Sequence, residues 1–280
     1  MPSNLTLQEA VTVPTNLITA FHTLTKDLGV ELPWPVPVEG ADTDGGPILI
    51  WGAASSVGLY AVQVLRIWGY GGRVIAVASR KHHDELKRLG ARDCVDYNDP
   101  GVVDEILALA DGIRKGDGDR ARIPLILDCI GSREGSLRPL TRVAERGSMA
   151  AIMLPVINVH SSDTEGALPE YEMDVSKVLV GEWREGVELK GTRTHFYHEV
   201  CFSLLLPVYR CRTDITQNEF FKYHLQPEII PALLESGAVE PNKLRVVEGA
   251  TLLERAQKAL DLLRERAPSG EKLVWRVAEE

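Results

Sequence analysis

The chain has 280 residues, 44% of them apolar and 25% charged, which is enough for one large or two modest domains with a real core. Its formal net charge of -9 argues against a nucleic-acid or anionic-membrane partner, since either would favour a basic face. No apolar run approaches the roughly 18 residues that span a bilayer, and Met1-Pro2-Ser3-Asn4 opens no secretory signal, so a cytoplasmic protein is expected.

In chain order, the first element is an amphipathic stretch over 7–28 that stops at Gly29. Leu32-Pro33-Trp34-Pro35-Val36-Pro37 follows, where the prolines forbid helix and stiffen the connector. A polar turn over 42–46 leads to the first strand, 48–51, and further strands are expected at 73–78, 94–96, 125–129, 148–153 and 178–181. The second and fourth are near-continuous apolar runs, as expected for strands covered on both faces. Apolar runs alternating with amphipathic stretches predict an α/β protein with a doubly wound parallel sheet of six strands.

After the first strand, Val57, Tyr60, Ala61, Val64, Leu65 and Trp68 mark one face of a helix, ended by Gly69, Gly71 and Gly72. Residues 112–122 and 161–168 read as surface loops. Beyond 181, helices are expected over 196–206, 220–236 and 251–266, with Leu252, Leu253, Ala256, Ala259, Leu260 and Leu263 on one side of the third. Residues 272–277 read as a last strand.

The first strand runs straight into Gly52-Ala53-Ala54-Ser55-Ser56-Val57-Gly58 and then the helix. A pyrophosphate needs such a turn, because small side chains let it approach backbone N–H groups at a helix start. Only Gly58 matches a glycine of the G-x-G-x-x-G pattern, so the strand–turn–helix context carries the signal, and a plain small-residue turn is the competing reading. Ala54, Ser55, Ser56, Val57 and Gly58 are the candidate phosphate contacts.

About 20 residues further on, an NAD site carries Asp or Glu for the ribose hydroxyls. Here the second strand ends Ser79-Arg80-Lys81-His82, with no acid. A hydroxyl and cations suit a 2′-phosphate and favour NADP, against a solvated basic turn as the bland alternative. Tyr97, after the third strand, offers a flat face and a polar tip to the adenosine end. Ile130 and Gly131 close the fourth strand, and Met153, Leu154 and Pro155 close the fifth, where the nicotinamide is expected at the carboxyl edge of the sheet.

Taken together, these residues resemble the medium-chain dehydrogenase/reductase superfamily, in its quinone-oxidoreductase and enoyl-reductase branch, with the closest likeness to the fungal toxD-like and trans-acting enoyl reductases of polyketide clusters. The matching stretches are Glu9-Ala10-Val11-Thr12-Val13-Pro14 with Thr19-Ala20, Leu32-Pro33-Trp34-Pro35, the phosphate turn, Leu89-Gly90-Ala91 with Asp96-Tyr97, Leu127-Asp128-Cys129 and Ser269-Gly270-Glu271-Lys272-Leu273-Val274. The resemblance implies a Rossmann domain, zinc-independent NADPH chemistry on an activated C=C or C=O bond of a small-molecule substrate, and a homodimer paired through the sixth-strand edge near 178–181. A polyketide-pathway partner also falls within it.

Family members begin with a GroES-like half-barrel that forms much of the substrate cleft, and this chain starts near that segment's end. The resulting division is a helical lead-in over 1–37, a NADP-binding domain over 38–240, and a C-terminal remnant of the GroES-like catalytic domain over 241–280. That remnant, lacking its sheet partners, should expose edges and apolar surface. Thr19 is the best candidate for a catalytic donor near the nicotinamide.

His195, His198 and Cys201 invite a metal reading, but at i, i+3 and i+6 of a helix they rotate apart and do not converge on one ion. The cysteines Cys94, Cys129, Cys201 and Cys211 form no C-x-x-C pair and read as reduced thiols. Two functions compete: an NADPH-dependent enoyl or quinone reductase, and a non-catalytic NADP-binding remnant or partner subunit. A short-chain dehydrogenase is disfavoured, because no Tyr-x-x-x-Lys pair follows the fourth strand.

Overall fold

The lead-in starts with a short helix, α1 (Leu7–Ala10), closed by a reciprocal capping box between Thr6 and Glu9. Pro14 then opens α2 (Pro14–His22) at its first turn, where a missing N–H costs nothing, and the helix runs on into a wider turn over Thr23–Asp27. This structure, a computed structural model, describes residues 2–38, 45–114, 120–160, 168–194 and 215–278. The proline-rich connector is tied down: Trp68 Nε1 donates to the Pro33 carbonyl at 2.7 Å, and the Tyr70 hydroxyl to that of Glu31 at 2.9 Å.

Strands and helices then alternate: β1 (Ile48–Trp51), α3 (Ser56–Ile67), β2 (Val74–Val77), α4 (His83–Leu89), β3 (Asp93–Val95), α5 (Val102–Ile113), β4 (Leu125–Asp128), α6 (Arg138–Val143) and β5 (Met149–Met153). A hairpin of β6 (Val156–Val159) and β7 (Glu170–Glu172) precedes β8 (Glu188–Thr192). The strands β3-β2-β1-β4-β5-β8 form one sheet, parallel at every pairing. This is the doubly wound order, with its reversal between β1 and β4.

Strand residues alternate between two cores. Ile48, Ile50, Val74, Ala76, Leu127 and Ala151 face α2 and α3, whereas Leu49, Trp51, Ile75, Val77, Ile126 and Ala150 face α5 and α6. The helix α3 is buried well beyond its predicted stripe, because the sheet lies on one side of it and α2 on another. Phe21 of α2 meets Trp68 edge-on at 5.5 Å between ring centroids. The lead-in therefore belongs to the same core as the sheet. At the far end of α3, Gly69 takes φ 85°, Tyr70 N–H reaches the Leu65 carbonyl and Gly69 N–H that of Arg66, a left-handed stop that only glycine makes cheaply.

Five of the six expected strands lie where periodicity puts them. The sixth does not: 178–181 is a turn, with Leu179 at φ 53° and Gly181 at φ 80°, and the edge strand is β8. Val178 and Leu179 are apolar because they fill a small cluster with Leu137, Ile152, Val156 and Val175. The real edge strand, Glu-Leu-Lys-Gly-Thr, is mostly half-exposed and so lacks an apolar run.

Past the sheet, α7 (Ile215–His224) leads through a turn to α8 (Ile230–Glu235), in keeping with the predicted 220–236 helix. The expected 196–206 helix lies outside the described residues. The tail forms β9 (Leu244–Val246), α9 (Leu252–Arg264) and β10 (Lys272–Val274), with β9 and β10 pairing only with each other. On α9, Ala259 is buried, but Leu253 stays 77% exposed and Leu260 55%. Among the described residues no helix is long and apolar enough to cross a membrane.

Candidate functional site

At the carboxyl end of β1 the chain turns sharply. Gly52 takes φ 75°, and the Gly52 and Ala53 N–H groups both donate to the Val77 carbonyl, at 2.9 and 3.0 Å. Ser55 caps α3, its hydroxyl accepting from Gly58 N–H at 3.1 Å. A Cβ on Gly58 would sit 2.6 Å from the Gly52 carbonyl oxygen and 2.7 Å from Ala53 Cα, so only glycine lets the helix start this close to the strand. The N–H groups of Ala54, Ser56 and Val57 have no hydrogen-bond partner among the described residues. Three orphan donors at the start of a three-turn helix are what a pyrophosphate would take up.

The end of β4 is arranged around Asp128. Its fully buried carboxylate accepts from Ile130 N–H at 2.9 Å, Gly131 N–H at 3.1 Å and the Ser136 hydroxyl at 2.8 Å. Burial outweighs these donors and pushes the carboxyl up to about 6. A Cβ on Gly131 would lie 2.4 Å from the Met153 carbonyl, and the residue sits at φ 61°. Ile130 Cδ1 in turn fills the space against Gly52, 2.5 Å from where a Cβ would be. Gly52, Ile130, Gly131 and Met153 thus converge at the point where the strand order reverses, with Leu154 and Pro155 beyond. Burial and the Asp128 carboxylate also push the Cys129 thiol well up, which leaves it an inert neighbour of Ser55.

The basic turn after β2 is open. Arg80 and Lys81 are exposed and form no ion pair among the described residues, while Ser79 is half-buried. His82 does not face the same way: its Nε2 lies 2.9 Å from the Ser269 hydroxyl and its ring packs against Gly270 of the tail. Burial, with Lys81 and Lys243 nearby, holds its imidazole below the usual range, so it adds no charge at neutral pH. The acid missing from β2 comes from the end of β3. Asp96 accepts from Arg80 N–H at 3.2 Å and from Asn98 N–H at 2.9 Å, and the Asn98 contacts keep it ionised. Tyr97 beside it is 47% exposed, with its ring free to meet a ligand.

Thr19 lies on α2, buried against the carboxyl end of β8. Its hydroxyl donates to the Thr15 carbonyl at 2.7 Å and accepts from the Thr194 hydroxyl at 3.0 Å, so its own proton is already engaged. Below it, Thr192 Oγ1 donates to Asp27 Oδ2 at 2.8 Å. Neither Asp27 nor Thr192 stands out in the sequence, because an acid at a helix end normally faces water. Asn242 was equally silent: its side chain donates to the Ser56 carbonyl at 3.3 Å and its N–H to the Tyr60 hydroxyl at 3.1 Å, so the tail grips the start of α3.

The zinc-binding dehydrogenase family matches the chain over residues 56–185, from the start of α3 almost to β8. A zinc-type alcohol dehydrogenase-like protein of Schizosaccharomyces pombe is 39% identical over 113 residues, covering 40% of this chain and 31% of the relative. A trans-enoyl reductase of Gibberella fujikuroi is 24% identical over 277 residues, 99% of this chain and 67% of its own length. Among solved structures, a quinone oxidoreductase of Pseudomonas syringae has a TM-score of 0.60 at 16% identity, covering 98% of this chain and 66% of the other. CurA of Vibrio vulnificus in complex with NADPH has a TM-score of 0.55 at 15% identity, covering 96% and 64%. The chain thus spans under a third of the first relative's length and about two thirds of the others.

With that sheet order and that phosphate turn, the chain is similar to the zinc-binding dehydrogenases over residues 56–185 and shares the Rossmann-type fold of the medium-chain dehydrogenase/reductase superfamily. Trans-enoyl reductases as well as alcohol-dehydrogenase-like proteins are among the relatives it resembles. Among the described residues no three His, Cys, Asp or Glu side chains are grouped to hold a metal ion, and His195, His198 and Cys201 lie outside them.

Asp128 makes stability depend on pH. Its folded value of about 6 lies above the ordinary 3.8, so between those values the folded chain holds a proton that the unfolded chain has lost. Its contribution is therefore present at low pH and is lost as pH rises through about 6. Urea unfolding of Asp128→Asn against the unsubstituted chain should show the difference moving in the variant's favour by up to about 3 kcal/mol across that window. A pH-independent difference would contradict the assignment.

Proposed function

We propose that this chain binds NADP(H) across the carboxyl edge of its sheet and serves the reduction of an activated C=C or C=O bond, of the enoyl or quinone type. The observation that carries the reading is the phosphate turn, with three unpartnered N–H groups at the start of α3 and glycines wherever a Cβ would close the approach. The trans-enoyl reductase and quinone oxidoreductase relatives, and the NADPH held by CurA, support the same class. In this reading Ala54, Ser55, Ser56, Val57 and Gly58 hold the pyrophosphate, Ser79, Arg80 and Lys81 the 2′-phosphate, and Tyr97 the adenosine face. Ile130, Gly131, Met153, Leu154 and Pro155 line the nicotinamide end.

When bound, the nicotinamide supplies hydride to an electron-poor carbon. The chain's part is to hold that carbon close and to meet the developing negative charge. Thr19 donates to Thr15 and Thr194 to Thr19, so either hydroxyl reaches an enolate oxygen only by giving up a bond it already makes. We also propose a homodimer paired through the open edge of β8, which would cover its unpaired backbone groups.

Four measurements bear on this. NADPH should bind on the order of 100-fold more tightly than NADH, from about two charge-assisted bonds to the 2′-phosphate reduced by solvent exposure. Calorimetry giving equal affinities, or an Arg80→Ala, Lys81→Ala variant with unchanged NADPH affinity, would contradict the 2′-phosphate assignment. Asp96→Asn should widen the preference, because it removes a carboxylate beside that phosphate.

Turnover of the chain by itself should be slow, because among the described residues β9, β10 and α9 keep open edges and exposed leucines where a further wall would pack. Fusing the half-barrel of a full-length relative ahead of Met1 should raise it by at least about 100-fold. An ordinary rate on the order of 10 per second from the chain alone would show the wall to be complete. Light scattering at micromolar concentration should give the mass of a dimer, and Gly191→Pro, which breaks the middle of the edge strand, should give a monomer; a monomeric unsubstituted chain rules the pairing out.

A further inference from the structure

One half-buried carboxylate at the carboxyl edge of the sheet has no part in the phosphate or ribose contacts. Asp27 closes the turn after α2 and reaches the last residue of β8, where Thr192 Oγ1 donates to it at 2.8 Å. Thr192 lies directly beside Met153 in the β5–β8 register. Leu154 follows on, its Cδ1 2.8 Å from where a Cβ on Gly191 would stand. Asp27 is thus seated one strand away from the end of β5, behind the nicotinamide position of the proposed site.

Its compensation is thin. A carboxylate offers about four lone-pair directions, and one hydroxyl is the hydrogen bond it receives among the described residues. No described cation reaches it within ion-pair distance: Lys190 of β8 is engaged by Glu188 at 2.5 Å, and Lys26 on its own turn acts only at longer range. The other titratable side chains on the packed elements are His22 on α2 and Glu219, Lys222, Tyr223 and His224 on α7. Burial dominates, and the carboxyl is pushed up to about 6. A half-buried, under-compensated carboxylate favours any additional positive charge brought near it.

The two forms of a nicotinamide cofactor differ by one such charge. The oxidised ring is a cation and the reduced ring is neutral, while the rest of the molecule is the same. We infer that Asp27 is a redox-discriminating residue, whose carboxylate, held by Thr192 behind the end of β5, is the counter-charge for the oxidised ring. This rests on the NADP(H) site proposed above.

It follows that NADP+ binding and ionisation of Asp27 favour each other. NADP+ binds best when Asp27 is ionised, and its binding expels the proton near pH 6. NADPH, with no ring charge, is indifferent to that proton. At an effective dielectric near 20, one charge acting across several ångströms is on the order of tenfold in affinity.

The test is calorimetric titration of the whole chain with NADP+ and with NADPH at about pH 5 and about pH 7.5, in two buffers of different ionisation heat. The ratio of the two affinities is the readout. It cancels the 2′-phosphate, which titrates near pH 6 in both forms, and His82 with it. The expected result is a ratio about tenfold more favourable to NADP+ at the higher pH, with more proton release at the lower pH on NADP+ binding than on NADPH binding. Asp27→Asn, which keeps the shape and a partner for Thr192, should flatten the ratio, remove the excess release on NADP+ binding and leave NADPH affinity within about twofold. Proton release by the unsubstituted chain remains decisive if that variant folds poorly.

A flat ratio in the unsubstituted chain, or a pH dependence that survives Asp27→Asn and disappears in Asp128→Asn, overturns the assignment while leaving the cofactor site standing. Binding of neither form overturns the cofactor site and this inference together.

Discussion

The structure depends on how closely α3 starts against the end of β1. At Gly58 the helix backbone lies so near the strand that one methyl group would meet the Gly52 carbonyl and Ala53. That closeness aims the first turn of α3 along the carboxyl edge of the sheet, with its orphan N–H groups outward. It also fixes the turn laterally, since Gly52 and Ala53 both donate to Val77 and so tie the end of β1 to the end of β2. The positions of the basic turn after β2 on one side and of the Ile130–Gly131 loop on the other are set relative to this anchor.

A second level of order comes from polar groups that no solvent satisfies. Asp128 holds the loop after β4 by three donors, and Asp27 ties α2 to β8 through a single one. The two carboxylates have similar burial costs but opposite settings. The first is saturated by the chain itself and organises a loop, whereas the second, half-exposed, keeps unused acceptor capacity. A buried charge left half-compensated is destabilising, and it persists where something else completes it.

The tail shows the opposite condition. Residues 240–243 and 269–270 are well attached: Arg88 pairs with Glu240, Asn242 grips α3, and Ser269 meets His82. Beyond those contacts, a two-strand parallel pair with open edges and a helix with exposed leucines form a surface that water serves poorly. The cofactor side of the molecule is closed by its own contacts; this side is not.

Local chemistry made much of this legible before any fold was known. The apolar runs at 48–51, 73–78 and 125–129, the helix stripe from Val57 to Trp68, the small-residue turn and the basic Ser79-Arg80-Lys81 are each decided by neighbours within a few positions, so the sequence by itself determined the doubly wound sheet and the turn between β1 and α3. The edge strand escaped because its alternating, half-exposed pattern resembles a loop, while Val178 and Leu179 are apolar for the sake of a packing cluster. Only the tertiary structure decided that His82 turns toward Ser269, that Asp96 accepts from the Arg80 N–H, and that Asp27 meets Thr192 at the end of β8. The physical reason is common to all three: whether a charged or polar side chain meets water, a ligand or a distant partner depends on which element folds over it, and nothing within its own stretch of sequence records that.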